Sequence, residues 1–139
     1  MSWFSDFFKR LNRIAPEIPS PRDIIPQSDI SYSSSRKTIT IENIEPEIWL
    51  TSVKDTNSMD AMVDAGHTCI LTSNFNVDDL VVGDVVVYKN WDRSIIHRIV
   101  KIAEDSEGKL YTMKGDNCYY CDPPVRDSQI KYLLLGIIY

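Results

Sequence analysis

From residue 38 to the end, the chain runs as short β-branched segments separated by turn formers, and this rhythm limits the open folds more than any other feature. The segments are Thr38–Ile41, Ile48–Leu50, Cys69–Thr72, Val85–Tyr88, Ile95–Ile102, Leu110–Met113 and Leu133–Tyr139. β-Branched and aromatic residues fit a pleated, half-buried surface. Gly66, Asn74, Gly83-Asp84, Gly108 and Gly115-Asp116 punctuate the runs where the chain must turn. The pattern predicts a mainly β domain over residues 38–139, a coiled sheet or partly open β-barrel. Within it only Met59–Ala65 reads as helical, one or two turns immediately after Ser58.

The N-terminal third reads differently. Trp3, Phe4, Phe7, Phe8, Leu11 and Ile14 recur at helical spacing, with Asp6, Lys9, Arg10 and Arg13 elsewhere on the wheel. A short amphipathic helix over residues 1–14 is expected, suited to a protein partner or a second copy of the chain ahead of a membrane surface, with packing on its own domain as the structural alternative. Residues 15–37 hold Pro16, Pro19, Pro21 and Pro26, then Ser31, Ser33, Ser34 and Ser35, with no glycine. Proline fixes φ and removes a donor, so an extended linker with little regular structure is expected between helix and domain.

At 139 residues and 43% apolar composition, the chain suits one compact domain with an N-terminal arm. A formal net charge of −5 argues against nucleic acid, whose phosphates need a basic face. No run approaches the ~18 consecutive apolar residues of a membrane span. The start also lacks the charged-then-apolar order of a signal peptide. A soluble chain is expected, cytoplasmic or part of a larger assembly such as a viral particle. Three cysteines, an odd number, do not make a disulfide framework, and no cofactor is implied.

Two segments carry residues suited to catalysis: Thr56-Asn57-Ser58-Met59-Asp60 and Ile95-Ile96-His97-Arg98-Ile99. A serine hydroxyl is barely nucleophilic at its own pKa and needs a base within hydrogen-bond reach, most often a neutral imidazole. Ser58 and His97 fill these roles. Their structural alternatives are a helix-capping serine and a hydrogen-bonded core histidine.

The order of Thr56-Asn57-Ser58-Met59-Asp60, Gly83–Tyr88, Ile96-His97-Arg98-Ile99-Val100, Lys114-Gly115-Asp116-Asn117 and Leu135-Gly136-Ile137-Ile138 resembles the signal peptidase I and LexA-like peptidase superfamily over residues 46–139. The resemblance implies Ser58 as nucleophile. It implies His97 as base, the histidine type found in archaeal and endoplasmic-reticulum signal peptidases. It points to Asp122, and second to Asp116, as the carboxylate that orients the imidazole. By analogy, Thr56 and the Ser58 backbone N–H form the oxyanion hole. Asn57 stands where the family has a small residue or glycine, Ala61 where it has proline, and His67 where it commonly has aspartate. The membrane span of signal peptidases and the DNA-binding domain of LexA-like repressors have no counterpart in the matched residues.

Such an enzyme would take a peptide as an added strand at a sheet edge, as a soluble serine endopeptidase. Small-residue sites such as Ser31-Tyr32-Ser33 would suit its pocket, whereas the absence of glycine from residues 1–65 argues against LexA-type self-cleavage. The competing expectation is a catalytically silent module that docks into an assembly through residues 1–14. A weaker alternative is a zinc site: Cys118-Tyr119-Tyr120-Cys121 has the gap that lets two thiolates meet one metal, with His67 and Cys69 completing four ligands. The same two cysteines could instead form a redox pair.

Overall fold

The computed structural model describes residues 18–44 and 47–139. The expected helix over residues 1–14 lies outside them. The described chain is mainly β, in two antiparallel sheets not closed into a barrel. Strands β1 (Ile30–Ser33) and β2 (Thr38–Ile41) pair as a separate ribbon. The main sheet contains β3 (Ile48–Ser52), β4 (Thr68–Thr72), β5 (Val85–Asn90), β6 (Arg93–Asp105), β7 (Gly108–Lys114) and β8 (Ile130–Ile138). Their order is β3-β4-β8-β5-β6-β7. No helix among the described residues is long and apolar enough to cross a membrane.

Each of the seven expected runs is a strand. The central ones are apolar at successive positions because both faces of the sheet are covered. Val86 and Tyr88 enter one core with Leu80, Ile99, Tyr111, Met113, Val125, Ile130 and Leu133. Val85 turns the other way, to Met59, Val63, Cys69, Leu71 and Leu134.

Strand β6 supplies the bend that builds the site. Its first half pairs with β5, up to Arg98 against Val85. Its second half pairs with β7, starting at Arg98 against Lys114, and the register slips between Ile99 and Lys101. Such a bulge bends a strand and increases its local twist. His97 and Arg98 sit at this changeover and, being adjacent, face opposite sides of the sheet.

The structure corrects two expectations. The described part of the expected linker, residues 18–37, is not an unstructured spacer, because β1 lies within it and closes on β2. The register pairs Ile30 with Ile41 and Tyr32 with Ile39, so the alternating Ser and Thr residues take the other face. The serine run is the hairpin turn: Ser33 Oγ meets Ser35 Oγ at 3.2 Å and accepts from Arg36 N at 3.4 Å. The proline segment is also fastened to the main sheet. Arg22 Nε donates to the fully buried Asp84 at 3.2 Å, and the Pro19 carbonyl accepts from Arg98 Nη1 at 2.9 Å. At Gly83, where φ is +107°, a Cβ would stand 2.1 Å from the Ser20 carbonyl oxygen, so only glycine admits this close approach.

The second correction concerns Met59–Ala65, which forms turns rather than a helix. A single bond from Val63 N to the Met59 carbonyl, 3.0 Å, closes one turn. So short a piece cannot offset the cost of helix nucleation by hydrogen bonds alone. It is held instead by burying Met59 and Val63, each 2% exposed.

Candidate active site

Three segments distant in sequence converge beside the β6 changeover. The turn after β3 brings Ser58, β6 brings His97, and the loop after β7 brings Asp122. Ser58 Oγ lies 3.1 Å from His97 Nε2. On the far side of the ring, His97 Nδ1 lies 2.5 Å from Asp122 Oδ2. The imidazole is buried, the serine is half-buried and the carboxylate is partly open to solvent. With Nδ1–H donating to the carboxylate, the lone pair of Nε2 is left to accept from the serine hydroxyl. Thr56 Oγ1 is 3.3 Å from Ser58 Oγ and exposed.

The backbone just before Ser58 is strained. Asn57 has φ +56°, the left-handed region where glycine is most at ease and asparagine is among the best tolerated alternatives.

Tyr88 is a member of the site that the sequence reading passed over. Its hydroxyl donates to the same Asp122 Oδ2 at 2.7 Å, and the residue is 1% exposed. Burial, and then the hydrogen bond to Asp122, push the phenol's pKa well above its ordinary value. Tyr88 is therefore a neutral donor at any working pH, fixing the carboxylate from the core side. The backbone of Asp122 is fixed as well, its N–H donating to the Met113 carbonyl at 2.8 Å.

Asp116 does not meet His97. It accepts from Arg98 Nε at 2.8 Å and Nη2 at 2.7 Å, a two-pronged ion pair with both side chains buried. Arg98 spends its remaining donor, Nη1, on the Gly83 and Pro19 carbonyls, at 3.0 and 2.9 Å. The pair locks the Gly115-Asp116-Asn117 loop in place, and that loop holds the Ser58 turn. Asn117 N donates to the Ser58 carbonyl at 3.0 Å, and Asn117 Nδ2 to the Asn57 carbonyl at 2.9 Å. Gly115 is the tightest point: a Cβ there would lie 2.5 Å from the Ser58 carbonyl oxygen, 2.6 Å from Cys118 Sγ and 2.9 Å from His97 Nε2.

The candidate zinc ligands are not brought together. His67 Nδ1 accepts from Asp64 N at 3.1 Å, and its ring packs edge-on against Tyr139. Cys69 is buried in the core, where desolvation raises the pKa of its thiol. Among the described residues, no group of three or more His, Cys, Asp or Glu is placed to hold a metal ion.

A cleft of about 420 Å³ lies elsewhere, between the proline segment and the main sheet, lined by Arg22, Ile24, Phe75 and Leu133 among others. It includes none of Ser58, His97 and Asp122. Fold and geometry thus define a β protein with a Ser-His-Asp relay. No family model, curated protein or solved structure matches the chain.

Proposed function

We propose that the protein is a serine endopeptidase of the histidine-base signal peptidase and LexA-like type. Ser58 is the nucleophile, His97 the general base and Asp122 the orienting carboxylate. The observation that carries this reading is the unbroken relay from Ser58 Oγ through both ring nitrogens of His97 to Asp122, with gaps of 3.1 and 2.5 Å.

The chemistry follows from the relay. His97 Nε2 accepts the Ser58 proton as Oγ bonds to the substrate's carbonyl carbon, and Asp122 stabilises the imidazolium that forms. The imidazolium then protonates the departing amine. A water deprotonated by the same nitrogen hydrolyses the acyl-serine. The Thr56 hydroxyl and the Ser58 N–H are the donors proposed for the oxyanion, each such donor being worth about 2.7–4 kcal/mol. An extended peptide that adds as a strand beside Ser58 is the substrate form that suits this reading.

The test is labelling by a serine-reactive fluorophosphonate, together with cleavage of a peptide bearing small residues. Wild type should label and turn over, Ser58→Ala should do neither, and its fold should be intact because a lost hydroxyl opens no large cavity. Equal labelling of wild type and Ser58→Ala would refute the assignment.

One observation favours a second reading, an assembly module without activity. The β1–β2 ribbon exposes Ile30, Tyr32 and Ile39 on one face, at 45%, 66% and 71%. Inert Ser58 together with stable self-association or complex formation would decide for it.

A further inference from the structure

The loop that connects Gly115 to Asp122 carries two free thiols. Cys118 is partly buried, and its Sγ donates to the Ser58 carbonyl at 3.8 Å. The point where a Gly115 Cβ would stand is 2.6 Å from that sulfur and 2.9 Å from His97 Nε2, so the thiol is one small side chain's width from the base. Cys121 is exposed and immediately precedes Asp122. Tyr119 and Tyr120 between them both lie at backbone bends, so the chain curves between the two cysteines, which are only three residues apart. Their rings are 96% and 85% exposed, so no packing of those rings restrains the loop. Its ends are pinned, by Cys118 N on the Gly115 carbonyl at 2.9 Å and by Asp122 N on the Met113 carbonyl at 2.8 Å.

We propose that Cys118 and Cys121 form a reversible disulfide that switches the centre off. The regulatory half of this proposal rests on the serine-peptidase reading, whereas the disulfide itself does not. The oxidant is a low-molecular-weight disulfide. The exposed Cys121 thiolate attacks one of its sulfurs, forming a mixed disulfide and expelling one small thiolate. The Cys118 thiolate then attacks the Cys121 sulfur, closing the ring and expelling the second. The two protein thiols give up two protons and two electrons, and the oxidant leaves as two thiols.

Closure acts on the site from both ends of the loop. Cys118 Sγ must leave the Ser58 carbonyl, or Cys121 must move inward and carry Asp122 with it. Asp122 sits on His97 through one short contact, and displacement of a catalytic group by about 1 Å costs on the order of a hundredfold in rate. The third cysteine, Cys69, is buried and does not compete.

The experiment incubates the full chain with oxidised glutathione. It maps disulfides in a non-reduced digest and follows the fluorophosphonate labelling rate of Ser58. The expected result is a Cys118–Cys121 crosslink, labelling slowed at least tenfold, and recovery on adding dithiothreitol. Under the same oxidant Cys121→Ser should keep its own starting rate. Absence of the crosslink overturns the proposal, and so does a crosslink that leaves labelling unchanged. Equal loss of labelling in Cys121→Ser would place the effect on Cys118 alone and overturn the pair. If the reduced protein never labels at Ser58, the peptidase reading fails, while the digest still decides the disulfide.

Discussion

Replacing Gly115 by alanine tests whether the loop after β7 sets the position of the nucleophile. The added Cβ would stand 2.5 Å from the Ser58 carbonyl oxygen and 2.9 Å from His97 Nε2. Both are well inside ordinary van der Waals separation, and neither neighbour is the end of a flexible chain. The carbonyl is already held by Asn117 N, and the imidazole is fixed through Nδ1 by Asp122. Relief must therefore come from a shift of the Ser58 turn or of the loop by several tenths of an ångström or more. A displacement of that size should slow labelling of Ser58 roughly 10- to 100-fold. Overpacking should cost about 1–3 kcal/mol of stability. Gly136→Ala is the control, because its Cβ would meet only Ile70 Cδ1, at 3.7 Å. Labelling rate and thermal unfolding midpoint are measured for wild type and both variants. Wild-type labelling by Gly115→Ala, with an unchanged midpoint, would show that the crowding around Ser58 is not a feature of the active protein.

The two aspartates should separate by phenotype. Asp122→Asn should keep its melting temperature within a few degrees and lose about 10³- to 10⁴-fold in turnover, whereas Asp116→Asn should lose about 3–5 kcal/mol of stability by stranding the buried Arg98, as urea unfolding would read out. Tyr88→Phe removes one of the two donors on Asp122 Oδ2 and should lower turnover about tenfold with substrate affinity unchanged, seen as a fall in kcat at constant KM. The same phenol's folded pKa is raised, so its contribution to stability is complete below the unfolded value of about 10 and is lost as pH rises above it. Stability measured between pH 9 and 11 should fall less steeply in Tyr88→Phe, and equal slopes would contradict the placement. At the other extreme, Arg126 beside Asp105 holds that carboxyl down to about 2. This exposed contact between the β6–β7 hairpin and the segment leading into β8 contributes fully above about pH 4 and is lost as pH falls toward 2, so Asp105→Asn and wild type should converge in acid.

Much of the fold was legible because the central strands announce themselves. Val85-Val86-Val87-Tyr88 is continuously apolar since both faces of β5 are covered, and no helix of ordinary length fits between its flanking turns. β1 was missed although Ile30-Ser31-Tyr32-Ser33 alternates as cleanly as Thr38-Ile39-Thr40-Ile41 does. The nearby prolines and the serine run mask that period in the sequence. Yet a proline-rich stretch is not loose where its backbone is engaged: the Pro19 carbonyl accepts from Arg98, and Ser20 lies against the backbone of Gly83.

The candidate site divides along the same line between what one segment encodes and what only the tertiary register encodes. Ser58 and His97 were readable because each is a reactive residue in a local setting, and Asp122 because the order of motifs pointed to it. Tyr88 was not, since in sequence it is one more aromatic in a core strand. Only the pairing of β5 with β6 reveals it: Val86 lies opposite His97 and Tyr88 opposite Ile95, so Tyr88 and His97 share a face and both reach Asp122. Arg98 had a signal that went unused, a cation inside an apolar strand, and a buried guanidinium demands a carboxylate. Asp116 meets that demand, which leaves Asp122 as the acid beside His97. The charge that must be neutralised in the core thus decides which of two aspartates is available for chemistry at the surface.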